Sequence, residues 1–458
     1  MRTLRKAAIV TILITQLILV GTAACASPTE PQPGSENSSP SYDTTIYGNL
    51  REVNPRGQVV IYWHDFTEVQ EEQQFALVDE FNRTNEWKIT ILTESQGTNE
   101  ALYDRLNKGL STGKGPGLIV ASPEQALTYA RTGAFVSVDP YVESDTWGFA
   151  RQEITDFYPI ALNSDYIPEL QGRYGWPIFK DMEVLYYNED WRVELGYDKL
   201  PEAWEVFEEM TCAASTQSFS NFKGEGASWG FEYPAHASQF TSLIFGMGGD
   251  ITNKGGTAFV FNSEEGFATL SLLRSLQTDD CATLLDDTAS RIVDFGEGRV
   301  LFLIAPVHQL ADIWDAVDRG AGFNWSVSPV PHSTDQPRMN IFGPSVSVLK
   351  TSPENQLAAW LFARWLSEPA QQARWAASTG YLPVRRSSAK LLTDYLTTHP
   401  NYAKALSYMG NQYGTQLPSS AYNQCQTFIG GMLTAVAAGG DIQGELDATL
   451  EQCTRLLQ

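Results

Sequence analysis

Basic residues are scarce in this chain: 31 lysines and arginines stand against 54 aspartates and glutamates, which gives a formal net charge of -23. Binding to nucleic acid requires a basic surface that can neutralise phosphates. We therefore expect no nucleic-acid partner. The same negative field disfavours strongly anionic small ligands, unless a local basic pocket overrides it.

Motifs for metal binding and catalysis are also missing. The histidines are scattered, without a His-x-His or His-Glu-x-x-His pair: they are His64, His236, His308, His332 and His399. Residues 343–345 read Gly-Pro-Ser, which is not a nucleophile elbow, and the glycine-rich residues 246–250 lack the Lys-Ser/Thr pair of a P-loop. We expect no metal, no cofactor and no enzymatic activity. A glycosidase stays open as a less favoured alternative, because paired carboxylates in a sugar cleft would suit that chemistry.

No apolar run is long enough for a comfortable transmembrane span. Three basic residues within the first six positions are followed by an apolar run over residues 7–20 and by small residues up to Cys25. This is the pattern of a secretory signal, which we predict at residues 1–24. Cys25 after two alanines resembles the bacterial lipobox, which implies lipidation of Cys25 and an extracytoplasmic protein anchored to the cell membrane. Thr22 departs from the leucine usual at its position, and the alternative is an ordinary cleaved signal with an incidental cysteine.

Apolar residues are nearly absent from the segment that follows the signal. Residues 25–44 are rich in Ser, Pro, Glu and Asn and offer almost nothing to bury. Such a composition is typical of a disordered tether. The predicted arrangement is a folded domain held at a membrane surface by a flexible segment.

Cysteines are few, and four remain if Cys25 carries lipid: Cys212, Cys281, Cys425 and Cys453. An even number in an exported chain permits two disulfides. Three pairings are possible, and we favour Cys212 with Cys281 and Cys425 with Cys453, because the last two lie on apolar stripes of two neighbouring helices. The alternative is four buried free thiols, since cysteine is common in cores.

What the chain does contain is enough apolar material for two folded units: 458 residues, 43% hydrophobic and 12% aromatic. Residues 58–63, 88–92 and 118–120 read as strands, separated by helical patterns that end near Phe81 and Leu110. This βαβα order predicts an α/β sheet with its ligand side at the carboxyl ends of the strands.

A second apolar stretch, residues 176–191, contains a strand without polar alternation at residues 184–187. Such a strand is covered on both faces. Asp181 and Glu183 stand just ahead of it, where we expect the chain to cross from one lobe to another. Both carboxylates are therefore candidates for the mouth between lobes.

Several segments carry a family resemblance in the same order along the chain. They are Val-Ile-Tyr-Trp-His-Asp-Phe-Thr at 60–67, Phe-Ala-Leu-Val-Asp-Glu-Phe-Asn at 75–82, Ala-Arg-Thr-Gly-Ala-Phe-Val-Ser-Val-Asp at 130–139, Gly-Trp-Pro-Ile at 175–178, Leu-Tyr-Tyr-Asn-Glu-Asp-Trp at 185–191, Pro-Glu-Ala-Trp-Glu-Val-Phe at 201–207, Phe-Gly-Glu-Gly-Arg-Val-Leu-Phe at 295–302, Ala-Trp-Leu-Phe-Ala-Arg-Trp-Leu at 359–366 and Gly-Tyr-Leu-Pro-Val-Arg-Arg at 380–386. Together they resemble the family 1 extracellular solute-binding proteins, the maltose-binding-protein-like sugar receptors of ABC importers. Ala203 departs from the Thr or Ser that usually caps the helix at that position, which affects a helix start only.

This resemblance implies an α/β fold of the periplasmic-binding-protein type, with two lobes, hinge crossovers and a ligand cleft between the lobes. Lobe one would take residues 45–180 and 330–378, and lobe two residues 181–329 and 379–458. Two proline-containing segments, 325–331 and 378–383, are plausible places for the second and third crossovers.

Candidate ligand-binding residues are those placed by strand ends and crossovers, because a sugar needs polar groups at its rim and aromatic rings at its faces. They are Trp63, His64, Asp65, Glu124, Asp181, Glu183, Trp229, His236, His308, Gly343, Tyr381 and Arg385. Each has a structural alternative. Asp65 and Glu124 suit helix starts, Glu183 suits a salt bridge across the hinge, and Trp229 suits the core.

The function implied by the resemblance is capture of a mono- or oligosaccharide by lobe closure, with delivery to ABC permease subunits in the membrane. We expect a monomer. Two alternatives keep the fold. One is a receptor for a polyol phosphate such as glycerol phosphate, for which Arg385 and Arg386 are the clustered cations, and the other is a ligand receptor for a membrane sensor.

Overall fold

The computed structural model describes residues 41–410, 413–414, 419 and 421–457. The predicted signal, Cys25 and most of the predicted tether lie outside the described residues. The strands are β1 Val59–His64, β2 Thr90–Ser95, β3 Leu118–Ala121, β4 Tyr166–Ile167, β5 Gly172–Arg173, β6 Trp176–Pro177, β7 Asp181–Asn188, β8 Trp229–Tyr233, β9 Ala282–Leu284, β10 Val300–Pro306, β11 Trp325–Ser328, β12 Met339–Phe342, β13 Ser345–Val348 and β14 Tyr413–Gly414.

Helices surround these strands, as the mixed pattern of the sequence predicts. They are α1 Thr44–Tyr47, α2 Glu68–Thr84, α3 Asn99–Thr112, α4 Pro123–Arg131, α5 Asp139–Val142, α6 Arg151–Asp156, α7 Pro159–Ser164, α8 Glu189–Glu194, α9 Trp204–Thr216, α10 Ala237–Met247, α11 Glu264–Thr278, α12 Thr288–Gly296, α13 Leu310–Arg319, α14 Pro353–Leu366, α15 Pro369–Thr379, α16 Ser388–Leu391, α17 Thr393–Thr398, α18 Pro400–Tyr408, α19 Tyr422–Ala437 and α20 Ile442–Arg455. Short 3₁₀ turns cover Pro168–Leu170 and Val307–Gln309. In the described part of the chain, no helix is both long and apolar enough to cross a membrane.

The first sheet has the strand order β2-β1-β3-β13-β6. β1 runs parallel to β2 and to β3, which is the predicted βαβα start, while β13 is antiparallel to β3 and to β6. Residues of β3 are fully buried, as expected for a strand with helices on both faces. The carboxyl ends of β1 and β3 therefore point to one edge of this sheet.

The second sheet has the order β14-β12-β7-β10-β8-β9, with β11 also paired to β7. All eight residues of β7 are buried, which confirms the predicted two-sided strand. Its first residues pair with β12 and its last residues pair with β11, so one long strand holds both. The mixed α/β architecture, with these two large sheets and a small two-stranded sheet of β4 and β5, agrees with the predicted fold class.

The chain passes between the sheets at adjacent points. β6 and β7 belong to different sheets and are separated by residues 178–180, and β12 and β13 are separated by Gly343 and Pro344. Lys180 exchanges two backbone hydrogen bonds with Leu382, at 3.1 and 2.8 Å. A Cβ atom on Gly343 would lie 3.1 Å from Cα of Lys180, so the passages at 180 and 343 touch, and Leu382 pairs with the first of them.

The proline-containing segment 325–331 stays with the second sheet. β11 pairs with β7, His332 donates its backbone N–H to the carbonyl of Glu202, and β12 returns to β7. The second passage thus follows β12 in this structure. The assignment of residue segments to two lobes stays a prediction.

Two disulfides confirm the favoured pairing of cysteines. Cys212 in α9 is bonded to Cys281 just before β9, and Cys425 in α19 is bonded to Cys453 in α20. The predicted apolar stripes of α19 and α20 do point inward, because Cys425 and Cys453 are both fully buried between these helices. Each bond therefore joins elements of the region around the second sheet.

Candidate functional site

A cleft of about 910 Å³ opens where the two sheets meet. Its walls come from loops after β1 and β3, from the passages between the sheets, from the start of α10 and from α19. The lining residues are Asp65, Phe66, Gln70, Asn99, Val120, Ser122, Pro123, Glu124, Gln125, Ser164, Lys180, Ala235, His236, Ala237, Ser238, Asp286, Asn340, Ile341, Phe342, Gly343, Pro344, Tyr381, Tyr422, Asn423, Gln426, Thr427, Gly430 and Thr434. The position at the carboxyl ends of β1 and β3 is the expected ligand side of such a sheet.

Polar side chains on the first-sheet wall are linked in a chain. Asn99 donates to the Asp65 carboxylate at 3.0 Å, and Gln125 donates to the Asn99 side-chain oxygen at 2.8 Å. Gln125 also accepts from the backbone N–H of Ser122, whose hydroxyl caps α4 in return. This capping box fixes the loop after β3. The wall therefore presents oriented donors and acceptors to whatever enters the cleft.

Glu124 lies in the first turn of α4 and faces the cleft. It is partly accessible to solvent, but protein atoms surround it on most sides. This burial raises the pKa of Glu124, and a hydrogen bond from Ser122 and the charge of Lys180 act in the opposite direction. Its carboxylate therefore belongs to an enclosed part of the first-sheet wall.

Lys180 lies on the cleft floor, immediately before β7. Its side chain is fully buried and its ammonium group contacts the Asp165 carboxylate at 3.3 Å, the Gly343 carbonyl at 3.2 Å and the Ser345 hydroxyl at 3.1 Å. Ser345 donates in turn to Asp165 at 2.8 Å. The single positive charge of this network is thus neutralised within the protein.

Tyr381 supplies an aromatic surface to the cleft and is held from behind. His308 stacks on its ring with centroids 5.0 Å apart and an angle of 8° between the planes, and Nδ1 of His308 contacts the Asp181 carboxylate. Burial opposes protonation of His308, but the charge and hydrogen bond of Asp181 outweigh it, so the pKa of His308 is raised. Gln70 donates to the Tyr381 hydroxyl at 3.4 Å. Asp181 and His308 therefore position Tyr381 and do not line the cleft.

Glu183 also lies behind the cleft wall. Its carboxylate accepts hydrogen bonds from the Ser242 hydroxyl and, at 3.3 Å, from the Asn340 amide. Burial raises the pKa of Glu183. Asn340 itself lines the cleft and also donates to the Ser238 carbonyl at 3.3 Å. Glu183 therefore contacts a lining residue, Asn340, without lining the cleft itself.

Among the predicted site residues, the cleft brings together Asp65, Glu124, His236, Gly343 and Tyr381. His236 is exposed at the start of α10, and Gly343 adopts a φ of 126°. At that angle glycine is strongly favoured, and its lack of a side chain permits the contact with Lys180.

Four other predicted residues are placed elsewhere. Trp63 is buried beneath α3 and donates to Glu94 at 3.1 Å, and His64 is fully buried, where desolvation lowers its pKa to about 4. Trp229 begins β8 and lies outside the cleft lining. The remaining one, Arg385, is buried and forms an ion pair with the partly exposed Asp156 of α6 at 2.8 Å.

Residues that sequence reasoning missed come mainly from α19. Asn423, Gln426, Thr427 and Thr434 line the cleft on the face opposite Cys425. The available signal was the helical spacing of these polar residues, which complements the apolar stripe used to pair the cysteines. Within the described residues, no cluster of His, Cys, Asp or Glu has the composition to hold a metal ion.

Comparison with known proteins gives one family and one fold. The profile of the family described as bacterial extracellular solute-binding protein matches residues 76–405. A curated relative, the sn-glycerol-3-phosphate-binding periplasmic protein of Salmonella paratyphi A, is 23% identical over 319 residues, which cover 64% of this chain and 72% of the relative.

Solved structures with the same fold share few residues with this chain. The sugar-binding protein MalE from Xanthomonas citri superposes with a TM-score of 0.75 at 18% identity, covering 87% of this chain and 97% of that one. The structure of UgpB from Mycobacterium tuberculosis in complex with glycerophosphocholine gives a TM-score of 0.69 at 18% identity, covering 87% of this chain and 98% of that one. At such identities the likeness establishes the fold alone.

Proposed function

The chain belongs to the bacterial extracellular solute-binding proteins, and we propose that its solute is a carbohydrate, captured in the cleft and delivered to the membrane permease of an ABC transporter. Members of this family act outside the cytoplasm. The proposal includes binding without chemical turnover, because a receptor needs oriented hydrogen-bonding groups and no nucleophile.

The observation that carries the proposal is the balance of charge in the cleft. Asp65, Glu124 and Asp286 supply carboxylates to the lining. Among the described lining residues, the basic side chains are Lys180, which is already neutralised by Asp165, and His236. A neutral solute rich in hydroxyl groups can donate hydrogen bonds to these carboxylates, and such charge-assisted bonds are the stronger ones.

Aromatic and apolar groups complete the surface that a sugar requires. Tyr381, Phe66 and Phe342 line the cleft close to its polar residues. A sugar ring places its C–H groups on its faces and its hydroxyls at its rim, so it matches aromatic faces flanked by polar groups. The amides of Asn99 and Asn340 offer further donors and acceptors.

A polyol phosphate fits this lining less well. Arg385 and Arg386, the clustered cations that such a ligand would require, both lie outside the cleft lining, and Arg385 is engaged with Asp156. A phosphate in the cleft would face several carboxylates without an unpaired lysine or arginine among the described lining residues. The resemblance to a glycerol-phosphate receptor therefore supports the fold and the transport role more strongly than it supports a phosphate ligand for this chain.

Lobe closure would convert binding into a signal for the permease. A solute held by Asp65 and Glu124 on one wall gains contacts with Asn340 and α19 only when the walls approach. Only this differential affinity can favour the closed state. We further propose that the protein acts as a monomer anchored through lipidated Cys25, and a Cys25→Ser variant should then leave the membrane fraction.

The test of the ligand class is isothermal titration of the mature protein with a panel of neutral mono- and oligosaccharides, sn-glycerol 3-phosphate and glycerophosphocholine. We expect a neutral saccharide to bind and the two phosphates to bind at least tenfold more weakly. Glu124→Gln should weaken saccharide binding about tenfold or more, since it removes a charged acceptor. Asp145→Asn, at an exposed aspartate outside the lining, is the control. Tighter binding of either phosphate than of every saccharide would overturn the carbohydrate assignment.

A further inference from the structure

The N-terminal half of α19 forms part of the cleft wall. The lining takes several residues from it: Tyr422, Asn423, Gln426 and Thr427. Burial raises the pKa of the Tyr422 hydroxyl, and the charges of Glu124 and Glu183 act in the same direction. This end of the helix therefore lies close enough to Glu124 of the first-sheet wall to be affected by its charge.

Cys425 lies on the other side of the same helical turns. It is fully buried and is bonded to Cys453 of α20, which is equally buried. Because an α-helix has about 3.6 residues per turn, Cys425 points away from the cleft although Gln426 and Thr427, the next two residues, line it. A shift or rotation of the helix at Cys425 would therefore move both lining residues.

Helix α20 gives this bond a fixed point of attachment. Leu446 and Thr449 of α20 are buried. Asn262, in the segment before α11, donates to the Asp447 carboxylate at 2.6 Å and accepts from the Gln443 amide at 3.0 Å. The bond thus ties α19 to a helix that is itself packed and hydrogen-bonded to the region around the second sheet.

The C-terminal end of α19 is held without the bond. Arg274 of α11 donates to the Val436 carbonyl at 2.7 Å and to the Gly440 carbonyl at 2.6 Å. A guanidinium group in this position satisfies carbonyls that a helix end leaves without partners, and its charge is favourable at the negative end of the helix dipole. This end of the helix therefore has a charged anchor of its own.

The N-terminal end of α19 has weaker polar anchoring. Ala421, the residue before the helix, has no side chain that could cap the first turn. The Tyr422 hydroxyl contacts the Thr241 hydroxyl at 3.2 Å, and a neutral pair of this kind contributes less than a hydrogen bond to a charged group. The covalent bond at Cys425 is consequently the strongest restraint on the turns that line the cleft.

We propose that the Cys425–Cys453 bond holds the N-terminal turns of α19 in place as a wall of the solute cleft, and that the Cys212–Cys281 bond has no such role. The latter joins α9 to the residue before β9, and neither cysteine nor its immediate neighbours in sequence line the cleft. Solute affinity should therefore depend on one disulfide and not on the other. This inference rests on the proposed function, because it takes the cleft as the solute site.

The experiment removes the Cys425–Cys453 bond in two ways and titrates the mature protein with the tightest-binding saccharide from the panel that tests the ligand class. The first variant carries Cys425→Ala and Cys453→Ala. The second carries Cys425→Val and Cys453→Ala, which fills the space of the two sulfurs and keeps the test available if the first variant is too unstable to purify. Because a site loosened at its supporting residues binds less well, we expect both variants to bind about fivefold more weakly or worse.

A double variant with Cys212→Ala and Cys281→Ala is the matched control. It opens a bond with a sequence separation of 69, against 28 for the other bond, so it should lower the thermal midpoint by the larger amount. It should nevertheless bind the saccharide within about twofold of the wild type, since it leaves α19 in place. Affinity that falls in the order of the thermal midpoints, or that is unchanged in every variant, would overturn the inference and leave the proposed function standing. Wild-type affinity in the valine–alanine variant would also overturn it, because packing and not the bond would then place the wall.

Hydrogen exchange followed by mass spectrometry tests the same restraint without any ligand. Amides of residues 426–431 should exchange about tenfold faster or more in both Cys425 variants than in the wild type or the control, because local opening controls exchange. Residues 434–438, beside the Arg274 anchor, should exchange at the rate of the wild type. Equal protection of residues 426–431 in all proteins would overturn the inference. If no saccharide binds the wild type, the proposed function fails, and the exchange measurement alone decides whether the bond holds α19.

Discussion

The buried ammonium group of Lys180 should be essential for stability, because it neutralises a carboxylate that has no access to water. Both side chains of the Lys180–Asp165 pair are fully buried, at 3.3 Å. Replacing Lys180 with Met keeps the length of the side chain but leaves Asp165 as an uncompensated buried charge. Breaking a buried pair in this way costs about 3–5 kcal/mol. We expect Lys180→Met to lose about that much free energy of unfolding at pH 7.

The assay is urea unfolding of ligand-free protein followed by far-ultraviolet circular dichroism. A double variant, Lys180→Met with Asp165→Asn, removes the charge as well as its partner and should recover most of the loss. Arg51→Met is the matched control, since Arg51 pairs with Asp145 at the surface, with side chains 76% and 85% exposed. Exposed pairs contribute at most about 1 kcal/mol. A loss below about 1 kcal/mol in Lys180→Met, or no recovery in the double variant, would refute the reasoning.

Three further predictions concern Glu232, the Cys212–Cys281 bond and Gly343. Burial, together with the charge of a neighbouring carboxylate, raises the pKa of Glu232 to about 8, so the folded state keeps a proton that the unfolded chain releases near pH 4.5. Stability should therefore fall between pH 5 and 8 by up to about 1.4 kcal/mol per pH unit, and Glu232→Gln should flatten that slope in urea titrations. Replacing both Cys212 and Cys281 with Ser opens a bond with a sequence separation of 69 and should cost about 4 kcal/mol; a thermal midpoint equal to the wild type would contradict this. Gly343→Ala forces a side chain onto a φ of 126° and against the Lys180 backbone, which should cost about 1–3 kcal/mol in the same thermal assay.

The order of strands and helices was predictable because hydrophobic periodicity reports local structure. Residues 184–187 lack polar alternation, and β7 is indeed buried on both faces. The pairing of Cys425 with Cys453 was predictable for the same reason, since helical spacing places each sulfur on an apolar stripe. Both features follow from the spacing of apolar residues within a single strand or helix.

The cleft lining was harder to predict, because one residue at a strand end decides whether a side chain is buried. β1 continues through His64, so Trp63 and His64 still alternate into the two layers beside the sheet. Of the three residues predicted at this strand end, Asp65 alone lines the cleft. At β7 the strand begins at Asp181, and Lys180 just before it forms the floor. Element boundaries are the least reliable part of sequence reasoning.

The contribution of α19 could not be predicted from local pattern. Its polar face reads like any solvent-exposed helix face, and nothing in the spacing of Asn423 and Gln426 distinguishes water from a ligand. The distinction arises from tertiary contacts, since Gly430 allows the helix to reach the loop before α10. Such contacts join residues far apart in the chain.

The position of β13 in the first sheet determines how early during synthesis this protein can fold. This strand lies between β3 and β6 in the first sheet, although it is made long after both. The first sheet therefore cannot be completed until residue 348 has been synthesised, and such non-local pairing slows folding. A chain that works outside the cytoplasm can in this way stay unfolded during synthesis and close its sheets after export, where an oxidising compartment also permits its two disulfides.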